Sequence, residues 1–81
     1  MKLKIYKKRS LKPILKLKGL RAERAVTQSD IANILGISTA TYNRKENGLG
    51  QFDMREINIM TKFFGVTYEE IFDMGEVSQV L

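Results

Sequence analysis

The chain has 81 residues, 43% of them hydrophobic, carries a formal net charge of +5 and contains neither cysteine nor histidine. This is one domain near the lower size limit for unaided folding, too apolar for wholesale disorder, without disulfides, thiolates or imidazoles. Nucleophile–base catalysis lacks its usual residues and the carboxylates are scattered, so the expectation is a non-enzyme with no cofactor and no metal. No apolar run approaches the ~20 residues that span a bilayer. The opening MKLKIYKKRSLK has no apolar signal-peptide core, which makes a cytoplasmic protein the default expectation. Charge is uneven: residues 1–24 hold ten of the 14 basic residues against Glu23 alone, and residues 25–81 hold four against eight acids. The basicity lies at one end, and the body is mildly acidic.

Residues 1–12 read as a basic arm with Lys7, Lys8 and Arg9 near its middle. The alternation from Lys2 to Lys7 equally suits an edge strand. Pro13 marks the way into a first helix, since proline is tolerated in an opening turn. That helix is expected to run to about Ala25 with Ile14, Leu17 and Leu20 inward, weakened at Gly19. Thr27, with Asp30 three residues on, forms a capping-box pattern for a helix Gln28 to Leu35, whose apolar positions are Ile31, Ile34 and Leu35. Ala32 leaves room for a close helix, and Gly36 suits a left-handed C-cap. Ile37 fills the turn and Ser38 caps a helix Thr39 to Glu46, which Asn47-Gly48 stops.

The loop 47–53 is anchored by Phe52, and Asp53 caps a fourth helix, Met54 to Phe64, with Ile57, Met60 and Phe64 on one face. Gly65 ends it, and a Thr67/Glu70 capping box starts a fifth helix ending near Asp73. The whole is predicted to be all-α, a compact bundle of five short helices. Its divisions are the arm 1–12, a domain 13–74 and a short apolar tail 75–81.

At 100° per residue, Thr39, Ala40, Asn43 and Arg44 share one stripe of the third helix, and Tyr42, Lys45 and Glu46 fall on the other side. A hydroxyl, a methyl, an amide and a guanidinium all have partners on base edges in the major groove of B-DNA, which is wide enough to admit a helix. The plain alternative is an ordinary solvated helix face. Gln28 stands at the positive end of a helix dipole, a natural phosphate site; the plain alternative there is a solvated first-turn residue.

The order of Gln28, Ile31, Ala32, Leu35, Gly36, Ile37, Ser38, Tyr42, Glu46 and Gly48 resembles the lambda-repressor-like (Cro/repressor type, XRE-like) helix-turn-helix family. The likeness extends from Leu20-Arg21 through Phe64-Gly65-Val66 to Ile71-Phe72, roughly residues 14–73. It implies a sequence-specific DNA-binding transcriptional regulator, in size like a phage or mobile-element repressor, that reads the major groove with Thr39–Glu46. Candidate contacts to double-stranded DNA are Gln28, Ser38, Thr39, Ala40, Asn43, Arg44 and Asn47, with Lys7, Lys8 and Arg9 from the arm. In the family the places of Gln28 and Asn47 contact the DNA backbone, and those of Arg21 and Glu46 form a structural ion pair. The family often dimerises through its C-terminal helix; Phe63, Phe64, Ile71 and Phe72 are more apolar surface than one small core should need, most of it accounted for by core packing and part of it available for a homodimer on DNA. Tyr42 stands where the family mostly has Ile or Val, and Lys45 where a large apolar residue is common. A looser inner face of the third helix is therefore expected. A second reading is an antitoxin that binds a small protein partner as well as DNA. A third, an arm binding anionic membrane, lacks a clean amphipathic face, and no membrane partner is expected.

Overall fold

The computed structural model describes residues 13–72. They form α1 (Leu15–Glu23), α2 (Gln28–Leu35), α3 (Thr39–Glu46), α4 (Met54–Phe64) and α5 (Tyr68–Phe72). The arm with Lys7, Lys8 and Arg9, its strand alternative, the tail 75–81 and the expected helix end at Asp73 lie outside the described residues.

Reciprocal capping fixes where three of these helices begin. The Thr27 hydroxyl accepts from the Asp30 amide at 3.0 Å and the Asp30 carboxylate accepts from the Thr27 amide at 2.9 Å. Asp53 and Glu56 do the same at 2.8 and 2.9 Å, as do Thr67 and Glu70 at 3.2 and 2.8 Å. Each box satisfies two amides that a helix start leaves without a partner. α3 starts on Ser38, whose Oγ accepts from the Thr41 amide at 3.0 Å. At the other ends, α2 and α4 close on Gly36 (φ 76°) and Gly65 (φ 68°), where a Cβ would strain the left-handed turn. Two arginines finish those ends: Arg55 donates to the Leu35 carbonyl at 2.8 Å and Arg24 to the Phe64 carbonyl at 3.1 Å.

α1 is shorter than its sequence predicts, ending at Glu23 rather than about Ala25. Ala25 itself adopts φ 56°, a left-handed conformation, and the chain doubles back so that the Val26 amide donates to the Arg21 carbonyl at 2.8 Å. Alanine here does what glycine does after α2 and α4, which is why no sequence signal marked the stop. The start of α1 has no side-chain cap. Instead the Ile14 amide donates to the Glu46 carbonyl at 2.9 Å, joining the start of α1 to the end of α3.

The core consists of Leu17, Ile31, Ala32, Leu35, Tyr42, Met60, Phe64 and Ile71. α2 packs against both α3 and α4, and α1 packs against α5. Ile14, Leu20, Val26, Ile37, Ile59 and Phe72 are half-buried and pack around this centre, whereas Ile57, expected on one face with Met60 and Phe64, is half-buried without packing against it. Phe52 pins the loop before α4, its ring 5.8 Å from that of Tyr42 and 6.0 Å from that of Phe72. Ile34, which shares the helical spacing with Ile31 and Leu35, is 38% exposed. Ile31, Ala32 and Leu35 span about 100° of the helix, and Ile34 lies about 60° outside that arc, so α3 and α4 cover the first three and leave it at the rim.

Candidate nucleic-acid interface

The two faces of α3 differ sharply. Tyr42 and Glu46 are fully buried, whereas Thr39, Ala40, Asn43 and Arg44 are all exposed. An inward charged residue is tolerable only if its partners restore what water supplied. Glu46 has such partners. Arg21 grips it with Nε at 2.7 Å from Oε2 and Nη2 at 3.0 Å from Oε1. The Tyr42 hydroxyl donates to Oε2 at 2.7 Å, and the Gln28 side-chain amide donates to Oε1 at 2.9 Å. Four donors thus saturate the carboxylate.

Burial pushes the Glu46 carboxyl up, but the hydrogen bonds from Arg21, Tyr42 and Gln28 outweigh it and hold the group below its ordinary value. Burial, reinforced by the bond to Glu46, pushes the Tyr42 hydroxyl well above its ordinary range, so it stays a donor. The hydrogen bond to Glu46 raises Arg21 in turn. Since Arg21 belongs to α1 and Gln28 to α2, this cluster ties three helices to the last residue of α3.

The looser inner face expected from Tyr42 and Lys45 is not what the structure has. Tyr42 is completely enclosed and makes a hydrogen bond that Ile or Val could not make. Lys45 does not merely keep its ammonium in water. It donates to both carboxylate oxygens of Glu56 on α4, at 2.8 and 2.9 Å, and lies over the Phe52 ring at 5.8 Å. The two departures from the family's pattern are therefore compensated by polar partners, and α3 is held at its inner face by Arg21 and by Glu56. Sequence reasoning missed Glu56, which is 2% exposed. Its one signal was the spacing Asp53-x-x-Glu56, a capping-box pattern whose acid sits on the core face of α4.

The remaining candidates fall into two groups. Arg44 is exposed, and among the described residues no carboxylate pairs with it. Thr39 and Ala40 stand in the first turn of α3, beside Ser38, whose hydroxyl caps the helix and bonds the Thr41 hydroxyl at 2.9 Å. Two other candidates are already engaged. Gln28 accepts from the Asn43 side-chain amide at 3.1 Å while it donates to Glu46, a link the sequence did not disclose. Asn47 donates its side-chain amide to the Asn43 carbonyl at 2.8 Å, closing its own helix. Among the described residues no helix is long and apolar enough to cross a membrane. No group of three or more His, Cys, Asp or Glu among them could hold a metal ion.

A family model described as a helix-turn-helix domain matches residues 15–71, from the start of α1 into α5. The chain is 30% identical over 63 residues to the cryptic phage CTXphi transcriptional repressor RstR of Vibrio cholerae, covering 78% of this chain and 57% of that protein. It is 32% identical over 62 residues to the HTH-type transcriptional activator BcrR of Enterococcus faecalis, covering 76% of this chain and 30% of that protein. The chain thus spans little more than half of one curated relative and under a third of the other. No solved structure matches it. The family match takes in both helices of the motif, the turn between them and the helices that brace them, and on that ground the chain belongs to the helix-turn-helix domain family.

Proposed function

We propose that the protein is a sequence-specific DNA-binding transcriptional regulator, not an enzyme, that places α3 in the major groove of an operator. One observation carries this reading. α3 gives one face wholly to the core through Tyr42 and Glu46 and exposes the other through Thr39, Ala40, Asn43 and Arg44. Short side chains at Thr39 and Ala40 let the first turn approach base edges, and the N-terminal part of a recognition helix is where such contacts are made. Arg44 and Asn43 supply groups that distinguish bases. In this reading Ser38 and Asn47 meet the sugar–phosphate backbone at the two ends of α3, and Lys7, Lys8 and Arg9 add charge along it. The names of both relatives, a transcriptional repressor and a transcriptional activator, support regulation of transcription, and the first supports a phage-type repressor. Such a protein works in the cytoplasm, where its DNA lies.

One short helix reads few base pairs, so a homodimer on two half-sites is part of the proposal. The exposed rings of Phe63 and Tyr68, 45% and 51% accessible, support a protein contact on the α4–α5 side. The same rings favour the second reading, an antitoxin whose small partner covers them. Selection of bound duplexes from a random library tests the proposal. The expected result is a palindromic site with half-sites about one helical turn, ~34 Å, apart. Failure to enrich any sequence over scrambled duplex overturns it. A purified protein that stays monomeric both in solution and on the selected duplex removes the homodimer.

A further inference from the structure

We infer that Gln28 is a positioning residue that sets the amide of Asn43 to read an adenine in the major groove. This rests on the DNA-binding reading above and assigns to Gln28 a role other than phosphate contact.

The direction of a hydrogen-bond chain carries the inference. Glu46 is a carboxylate, held ionised by Arg21 at 2.7 and 3.0 Å, and it accepts only. The group of Gln28 that faces its Oε1 at 2.9 Å must therefore be the amide nitrogen, because the carbonyl oxygen would face a like partial charge. That places the Gln28 oxygen towards Asn43, which in turn must offer its own nitrogen, at 3.1 Å. Asn and Gln orientations are ordinarily assigned from their surroundings, and here a buried anion settles both in sequence. Among the described residues no donor is bonded to the Asn43 oxygen.

Among the described residues, Asn43 therefore projects from the exposed face of α3 with one N–H used and with one N–H and its carbonyl oxygen bonded to nothing. A free acceptor beside a free donor on one planar amide complements adenine, which presents N6–H as donor and N7 as acceptor at the major-groove edge. Guanine presents two acceptors there, and the Asn43 oxygen would oppose one of them. An Asn43 able to rotate would select less sharply. Gln28 removes that freedom from a side chain on the neighbouring helix, itself held from the core.

The test uses the full chain and duplexes selected by it from a random library, read as affinity for each single-base variant. Asn43→Ala should lose about tenfold to a hundredfold at one A·T position only. Gln28→Met keeps the length and removes both hydrogen bonds. It should lose preference at that same position, about tenfold, with affinity for scrambled duplex little changed; its melting temperature falls with the lost bond to Glu46, so binding is compared well below it. Replacing that adenine with 7-deazaadenine, which lacks the N7 acceptor, should weaken the unmodified protein and leave Asn43→Ala unaffected. This last measurement stands even if Gln28→Met does not fold. A Gln28→Met protein that loses equally on selected and scrambled duplex shows a phosphate contact and overturns the inference. Asn43→Ala without a position-specific loss also overturns it, while leaving the DNA-binding reading intact. If the unmodified protein enriches no site, the DNA-binding reading itself falls, and this inference with it.

Discussion

Lys45 on α3 reaches across to Glu56 on α4 and bonds both carboxylate oxygens, at 2.8 and 2.9 Å, with side chains 19% and 2% exposed. The attraction between such charges roughly offsets their loss of water, so the pair adds little net stability, but its loss on one side alone is costly. Lys45→Ala should destabilise the fold by about 3 kcal/mol, because it strands a buried carboxylate. The double replacement Lys45→Met with Glu56→Gln should be markedly milder, since Gln can still cap the Asp53 amide through its oxygen. Urea unfolding of the two variants checks the ordering. Equal losses would mean that the pair contributes only contacts and not compensation.

The Glu46 cluster makes a prediction about pH. Its hydrogen bonds hold the Glu46 carboxyl below its ordinary 4.5 in the folded protein, and in the unfolded chain that value returns. Between the two values the unfolded state binds more protons. The contribution of Glu46 is therefore complete above about pH 4.5 and is lost as pH falls through the folded-state value. Asp30, lowered by the hydrogen bonds of its capping box, acts in the same direction. Melting temperature should fall from pH 5 to pH 3, and the deficit of Glu46→Gln relative to the unmodified protein should shrink over that interval. Arg21→Ala should cost about 3 kcal/mol at neutral pH, and Arg21→Lys should recover only part of it, lacking the two-pronged grip.

Two positions in and after α1 carry each other's residue type to advantage. Gly19 lies within the helix, exposed, and a Cβ there meets nothing within 4 Å. Gly19→Ala should stabilise by about 0.5–1 kcal/mol. Ala25, at φ 56°, pays the opposite penalty. Ala25→Gly should gain up to about 1 kcal/mol, the relief of left-handed strain less the added freedom of the unfolded chain. Thermal unfolding of the singles and the double decides both, and the gains should add, as the sites share no partner.

Those two residues also mark where sequence reading succeeds and where it stops. The bounds of α2, α3 and α4 were legible because their signals are local: Thr27 with Asp30, Ser38, Asp53, Gly36 and Gly65 each act within one turn. The exposed face of α3 was legible from helical periodicity alone. The stop at Ala25 was not, because it follows from how the chain packs and not from residue type. The Lys45–Glu56 pair joins residues 11 apart and the Gln28–Asn43 bond residues 15 apart. No periodicity encodes such meetings, which exist only once α2, α3 and α4 have docked.

Residues 2–12 carry Lys2, Lys4, Lys7, Lys8, Arg9 and Lys12 and no acid. If the arm lies along DNA, each phosphate it neutralises adds about −0.9 to the slope of log affinity against log salt. Deleting residues 1–9 should then flatten that slope by about two to four units and weaken selected and scrambled duplexes alike. Should the slope hold while a dimer dissociates in sedimentation, the arm serves subunit pairing and not DNA.

Arg44 offers the sharpest test of how α3 is used. It stands on the exposed face in the last turn, among the described residues without a carboxylate partner, so its guanidinium is free to meet an incoming group. A guanidinium matches the O6 and N7 acceptors of guanine with two parallel hydrogen bonds, and such a contact discriminates by about 1–3 kcal/mol. It also matches phosphate, where it would bind every sequence equally and add about one unit to the salt slope. Arg44→Ala separates the two. Base reading predicts a loss of about 1–3 kcal/mol on the selected duplex, relaxed preference at one G·C pair and little change on scrambled DNA. Arg44→Lys should keep the charge and lose most of the preference, because an ammonium cannot make the paired contact. An Arg44→Ala protein that loses equally on both duplexes, with a shallower salt slope, places Arg44 on the backbone; one that loses on neither takes it out of the interface.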